Sequence, residues 1–267
     1  MTSELNHQDK ILKRFTATAD VFAESVRTML VEESDRLVEL ATAGLFLDSD
    51  SLAIDAACGP GTFTRPFASR VRRAVGVDLT PAMIEKARAE AARAGLTNIE
   101  FIYGDIYALP FADSVASIVV CGYAFHHMQE PARAVSEMTR VLRPGGRVAI
   151  VDFIAAEGPG AEIQNNIERA RDPSHTNAQT VSQFRGLIQK AGLRLVSEEL
   201  HPHWYDFDLW MRNAGSVPGD ANYIRVRRMM EEIMANDISG LSPRYSDKTG
   251  NFEFLHTVLL LVAEKPE

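Results

Sequence analysis

The stretch Ser51-Leu52-Ala53-Ile54-Asp55-Ala56-Ala57-Cys58-Gly59-Pro60-Gly61-Thr62 constrains this chain more than any other. A short apolar run ends in a carboxylate, a loop of small residues follows, and residues 63–70 read as a helix. Strand, glycine loop and helix open a nucleotide-type α/β domain. A loop that cradles phosphate offers its backbone N–H groups to the anion. Here Asp55 at the mouth of the loop would repel a pyrophosphate, and Pro60 removes one N–H. The loop suits a ligand that carries positive charge and no phosphate.

The rest of the chain supports a layered α/β fold. Apolar strands are expected at 52–57, 73–78, 98–103, 114–121 and 147–153, with helices between them at 83–94 and 131–142. Thr80-Pro81 opens the first of these helices as N-cap and first turn, and Gly95 closes it. Strands that alternate with helices over short connections predict a doubly wound, mostly parallel, Rossmann-like sheet. Residues 252–263 read as an interior last strand, expected to run antiparallel. Ahead of the sheet, residues 5–15 and 22–43 read as helices, with Val26, Met29, Leu30, Leu37, Leu40 and Ala41 near helical spacing and Gly44 as the stop. Residues 180–191 predict a helix and 193–200 a strand, after which 201–241 breaks the rhythm and holds a helix at 221–236. The expected organisation is an N-terminal helical cap over 1–50, a core over 51–200 and 252–267, and a helical lid insertion over 201–251.

The chain has 267 residues and a formal charge of -8, and no lysine or arginine cluster stands out. Duplex nucleic acid and anionic membrane are therefore not expected partners. No apolar run approaches the roughly 20 residues a membrane helix needs, and residues 1–8 are polar, without a signal-peptide core. The two cysteines, Cys58 and Cys121, imply no disulfide framework, and the reading is a cytoplasmic protein with free thiols.

Asp55, Asp78 and Asp105 each follow a successive strand, which gathers three carboxylates at the sheet edge where open α/β folds bind ligands. With the loop Asp55-Ala56-Ala57-Cys58-Gly59-Pro60-Gly61, this pattern resembles the class I S-adenosylmethionine (SAM)-dependent methyltransferases, and within them the quinone-biosynthesis-like group. Their first motif is D-x-G-x-G-x-G, and Ala57 stands where its first glycine falls. The resemblance covers residues 52–153 well and the C-terminal half loosely. It implies SAM as cofactor, with Asp78 on the ribose diol and Asp105 on the adenine amino group. Gly104 leads into that turn, and Ile106 would lie on the adenine face. Asp55 would lie near the methionine ammonium, and Ala57, Cys58, Gly59 and Gly61 would allow close backbone approach. Leu79 and Met83 are candidate walls, Cys121 ends the fourth strand beside the site, and Phe22 is a candidate contact from the helical cap. The plain alternatives are turn and helix-terminal acids, loop-satisfied carboxylates and core packing.

The segment Cys121-Gly122-Tyr123-Ala124-Phe125-His126-His127-Met128 lies beside the sulfonium and the acceptor in proteins of this kind. Many of them carry a basic residue at the place of Gly122. Tyr123, His126 and His127 are the catalytic candidates, because a histidine can take a proton from a hydroxyl or an acidic carbon. No compact ligand set makes a metal site of them; His201 and His203, with Asp206 and Asp208 nearby, could hold a metal but read first as a polar edge to the substrate cavity. Trp204, Trp210 and Tyr223, within an aromatic and methionine-rich group, are candidates to bind an apolar or aromatic acceptor; that group's own core or a homodimer contact is the alternative. The expected function is methyl transfer to oxygen or carbon of a small acceptor. A SAM-binding cyclase or regulator that transfers nothing is the first alternative. A nicotinamide-dependent oxidoreductase is the second.

Overall fold

The computed structural model describes residues 6–267, apart from the side chains of residues 27–29. Leu5 and the Met29 side chain, both used in the helical expectation, lie outside that description. The elements in chain order are α1 (His7–Ala17), α2 (Ala19–Met29), α3 (Val31–Thr42), β1 (Leu52–Ala56), α4 (Thr64–Ala68), β2 (Arg73–Asp78), α5 (Pro81–Arg93), β3 (Ile99–Tyr103) and β4 (Ala116–Gly122). A 3-10 turn (Phe125–His127) follows, then α6 (Pro131–Val141), β5 (Leu142–Phe153), α7 (Gly160–Arg171), α8 (Val181–Lys190), β6 (Arg194–Asp206), α9 (Phe207–Asn213), α10 (Ala221–Ile233), β7 (Arg244–Tyr245) and β8 (Phe252–Glu264).

The strands form one sheet in the order β3-β2-β1-β4-β5-β8-β6, with β7 on β8. The first five strands are parallel. β8 runs antiparallel to β5, β6 and β7. The order reverses beside β1, so the ends of β1 and β4 open a crevice at the switch point, where such sheets take ligands. Side chains alternate between two cores. Ile54, Val119, Val148, Ile150, Leu259 and Leu261 pack beneath α6 and α8. Ala53, Ile118, Val120, Ala149, Leu260 and Val262 pack beneath α3 and α4. Each fully buried Val, Leu or Ile contributes about 1.5–3 kcal/mol, so these two layers hold the sheet rim in place.

Two expectations need correction. The expected helix over 22–43 is two helices that break at the buried Leu30, whose backbone (φ -108°, ψ 17°) leaves the helical region. The break lets α3 lie on β5 and β8 while α1 and α2 cross to α5. β6 continues to Asp206 instead of ending at 200, because it pairs with β8 as far as Asp206↔Glu253. His201, His203 and Trp204 therefore stand on the sheet, and the helical insertion begins at Phe207. Its helices α9 and α10 pack with α7 around Phe207, Met211, Val226, Met230 and Phe254, a small core of their own. Among the described residues no helix is long and apolar enough to cross a membrane.

Candidate active site

A cavity of about 380 Å³ opens at the rim where β1, β2, β3 and β4 end. Ala57, Cys58 and Gly59 line it from the first loop, with Asp78, Leu79 and Met83 from the end of β2 and the start of α5. Gly104, Asp105 and Ile106 close a third side, and Phe22 reaches in from α2. The loop is tight: Cys58 N–H donates to Val77 O at 2.9 Å, and Ala57 holds a left-handed φ of 64°. That conformation is easy for glycine and strained for alanine.

Asp78 fixes the loop and keeps capacity for a ligand. Its Oδ2 accepts the Gly59 N–H at 2.8 Å and its Oδ1 the Thr80 N–H at 2.7 Å. A carboxylate has about four acceptor sites, so a lone pair on each oxygen stays open to a diol. Burial pushes this carboxyl above its ordinary range, and the two backbone N–H groups pull it back only in part. Asp105 is built alike: its Oδ1 accepts the Tyr107 N–H at 2.9 Å, and its Oδ2 accepts from Gln8 of α1 at 3.1 Å.

A smaller cavity of about 110 Å³ adjoins the first, and Phe15, Phe22, Tyr123 and His127 line both. His126, Phe153, Trp210 and His256 complete much of its wall. His126 Nδ1 lies 2.8 Å from Asp152 Oδ1, and the His126 backbone N–H donates to Asp152 Oδ2 at 3.3 Å. Asp152 comes from β5, which pairs in parallel with β4, so the sheet register sets this contact. Burial pulls the His126 imidazole down to about 4 and pushes the Asp152 carboxyl up to about 7. His127 is also buried; its Nδ1 donates to Ser174 O at 2.9 Å, and Phe15 meets its ring edge-on at 5.1 Å. Burial pulls it to about 3. Tyr123 holds a left-handed φ of 50°, and its buried hydroxyl has no hydrogen-bond partner among the described residues.

Five of the expected site residues stand away from both cavities. Asp55 lies beneath the loop, 1% exposed, with its Oδ2 accepting from the Thr64 hydroxyl at 2.5 Å. Gly61 serves packing: a Cβ there would meet the Phe101 ring at 2.8 Å. Cys121 is fully buried among Ile54, Val119 and Ile150, because alternation along β4 turns it into the core. Trp204 lies on β6, 43% exposed, under the Arg244 guanidinium at 3.5 Å. Tyr223 donates to Asp208 and packs edge-on against Phe207 at 5.3 Å. Trp210 alone of the three acceptor candidates lines a cavity, with Arg171 stacked on its ring at 4.4 Å.

Sequence reading missed Asp152, Phe153 and His256. Asp152 had a signal, since it is an acid near the end of an apolar strand, like the three acids identified. His256, inside the apolar 252–263 run, had none. Gly122 shows why the basic residue of related proteins is absent: a Cβ there would lie 2.3 Å from the Phe63 ring.

This rim, with a diol-ready acid after one strand, a second acid after the next and a cavity between them, defines a nucleoside-binding α/β protein. Residues 54–150 match the family model described as a methyltransferase domain. The chain is 33% identical over 168 residues to the uncharacterized methyltransferase YcgJ of Bacillus subtilis, covering 62% of this chain and 66% of that one. The crystal structure of YcgJ covers 88% of this chain and 99% of its own, with a TM-score of 0.75 at 27% identity. The 27-O-demethylrifamycin SV methyltransferase of Amycolatopsis mediterranei is 28% identical, covering 66% and 67%. The 2-phytyl-1,4-naphtoquinone methyltransferase of Thermosynechococcus vestitus is 36% identical, covering 43% and 52%. In sequence the chain thus spans about two thirds of YcgJ and of the demethylrifamycin methyltransferase and about half of the naphtoquinone methyltransferase. Residues 54–150 therefore belong to this methyltransferase domain family, and SAM is the cofactor expected of it.

The residues fit that cofactor. Asp78 and Asp105 keep free acceptor sites toward the cavity, and the cavity volume lies in the range of cofactor pockets. Asp55 Oδ1 and the Thr62 hydroxyl are buried without hydrogen-bond partners among the described residues, and Thr62 lines the cavity. A ligand ammonium at the loop would offer the Thr62 hydroxyl a donor.

Proposed function

We propose that this protein transfers the methyl group of SAM to a hydroxyl oxygen of a small, largely apolar aromatic acceptor. The observation that carries the reading is the buried His126–Asp152 pair, which faces the smaller cavity next to the cofactor cavity. Carbon transfer would leave such a pair without an evident task unless the carbon were acidic.

Bound at the rim, SAM supplies an electrophilic methyl on a positively charged sulfur. Asp78 would hold the ribose diol and Asp105 the adenine amino group, with Ile106 against the ring. Phe15, Phe22 and His127, which line both cavities, would exclude water from the space where they meet. Neutral His126 donates through Nδ1 to Asp152, which leaves Nε2 as the acceptor for a hydroxyl proton. Asp152 then compensates the imidazolium charge as it forms. Phe153 and Trp210 provide aromatic walls for the acceptor body. The N-terminal helices act as the cap in this reading, and α9 and α10 as the lid.

Labelled-methyl transfer to phenols, naphthols and their methyl ethers tests it. The expected label appears on hydroxyl oxygen only. Label on ring carbon contradicts the oxygen assignment, and tight SAM binding without any transfer favours a protein that uses SAM without methylating.

A further inference from the structure

The smaller cavity has a second histidine–carboxylate pair that the methyl transfer does not use. His256 Nε2 lies 3.0 Å from Glu168 Oε1, and the two side chains are 4% and 2% exposed. The approach is too oblique for a regular hydrogen bond. It nevertheless turns Nε2 toward the acid and leaves Nδ1 without a protein partner among the described residues. Glu168 stays ionised: burial raises its carboxyl, but His256 and Arg171 outweigh that and hold it down at about 2. His256 itself lines the cavity, whereas Glu168 stands behind it.

The two pairs are related by one ring. Phe153 packs against both histidines: its ring lies 4.5 Å from the His126 ring and 4.6 Å from the His256 ring, stacked on the latter at 3°. Tyr205 closes the His256 end edge-on at 5.3 Å. The Tyr123 hydroxyl is buried beside Tyr205, close enough to interact with it but without a regular hydrogen bond among the described residues. A buried hydroxyl without a regular hydrogen bond is costly, and a polar ligand group or an ordered water would relieve it. The cavity wall therefore holds two polar poles, His126 and His256 with Tyr123, and the apolar Phe153 ring packed against both histidines.

We infer that His256 is a specificity-determining residue: it binds a second hydrogen-bonding oxygen of the acceptor, across a ring from the oxygen that takes the methyl group. The inference rests on the hydroxyl-methylating reading above and adds a substrate class, ring compounds with two separated hydroxyl groups. His256 Nδ1 accepts from the second hydroxyl, and the Tyr123 hydroxyl can donate to the same oxygen. A monohydroxy compound would leave both protein groups unpaired, and a site built to bind a hydroxyl discriminates strongly against its absence.

The test compares phenol with hydroquinone, and 2-naphthol with 2,6- and 2,7-dihydroxynaphthalene, by calorimetry with S-adenosylhomocysteine present and by labelled-methyl transfer. In the unaltered protein at least one dihydroxy compound binds ten or more times tighter than its monohydroxy partner. His256→Phe keeps the ring stack, and Glu168→Gln keeps the shape but not the charge. Each brings the discrimination below about threefold while S-adenosylhomocysteine affinity stays unchanged, since neither residue lines the larger cavity. Equal binding of mono- and dihydroxy compounds, or discrimination that survives both substitutions, overturns the inference. Binding with discrimination but no methyl transfer leaves this pole in place and counts against the hydroxyl-methylating reading instead.

Discussion

His126 and Asp152 meet at 2.8 Å across neighbouring parallel strand ends, with the acid 1% exposed. Burial pushes the Asp152 carboxyl up to about 7 while it pulls His126 down to about 4. Near neutrality the ring is therefore neutral, and the carboxyl is the group that titrates. Below about 7 it gains a proton and no longer compensates an imidazolium. The rate of methyl transfer should rise with pH and level off above about 7, in a profile of kcat/KM from pH 5 to 9. Asp152→Asn should flatten that limb at a low rate.

Asp55 carries a stability signature of the opposite kind to an ion-paired acid. Its carboxyl is raised to about 7, chiefly by burial. A carboxyl raised above its unfolded value, about 3.9, contributes stability that is fully present below that value and lost as pH rises through about 7. Asp55→Asn keeps an acceptor for Thr64 and removes the charge. Denaturant unfolding should show the variant equal to the unaltered protein near pH 4. At pH 8 it should be more stable, by on the order of 1–4 kcal/mol. A variant that is less stable at pH 8 would mean the charge is compensated without ligand.

Ala57 occupies a left-handed backbone position at a φ of 64°. Glycine removes that strain, of order 1–3 kcal/mol, and restores part of it as unfolded-state entropy. Ala57→Gly should stabilise the protein by about 0.5–1 kcal/mol without weakening SAM. Ala57→Leu should abolish SAM binding, because the residue lines the cofactor cavity. Thermal unfolding and SAM titration check both.

Trp210 and Tyr223 separate the wall of the smaller cavity from the packing of α9 and α10 among themselves. Trp210 is 6% exposed and lines the smaller cavity, whereas Tyr223 does not. Trp210→Ala should raise the acceptor KM about tenfold or more and leave SAM affinity unchanged. Tyr223→Phe should leave both constants within about twofold. Steady-state kinetics with a phenolic acceptor read the difference.

Much of this was legible in the chain because it is local. The acids Asp78 and Asp105 close apolar strands, and a strand end in a parallel sheet has a fixed position at the rim. Asp55 was read with the same logic, yet it lies beneath the loop, since Thr64 of the following helix draws its side chain back. Cys121 and Gly61 were assigned to the cofactor by nearness in sequence, and the pleat of β4 and the Phe101 ring send them elsewhere. The acceptor cavity was hardest to read. Phe153, Trp210 and His256 converge only after β5, α9 and β8 pack together, and no spacing along the chain encodes that.

The central claim is that a buried histidine, held by a buried acid, takes the acceptor's proton. Single-turnover methyl transfer to a phenolic acceptor by His126→Gln and Asp152→Asn, with S-adenosylhomocysteine affinity measured alongside, tests it most directly. The account predicts a rate loss of about 10²–10⁴-fold for His126→Gln at unchanged affinity, and a smaller loss for Asp152→Asn. Full transfer rates in both variants would contradict it.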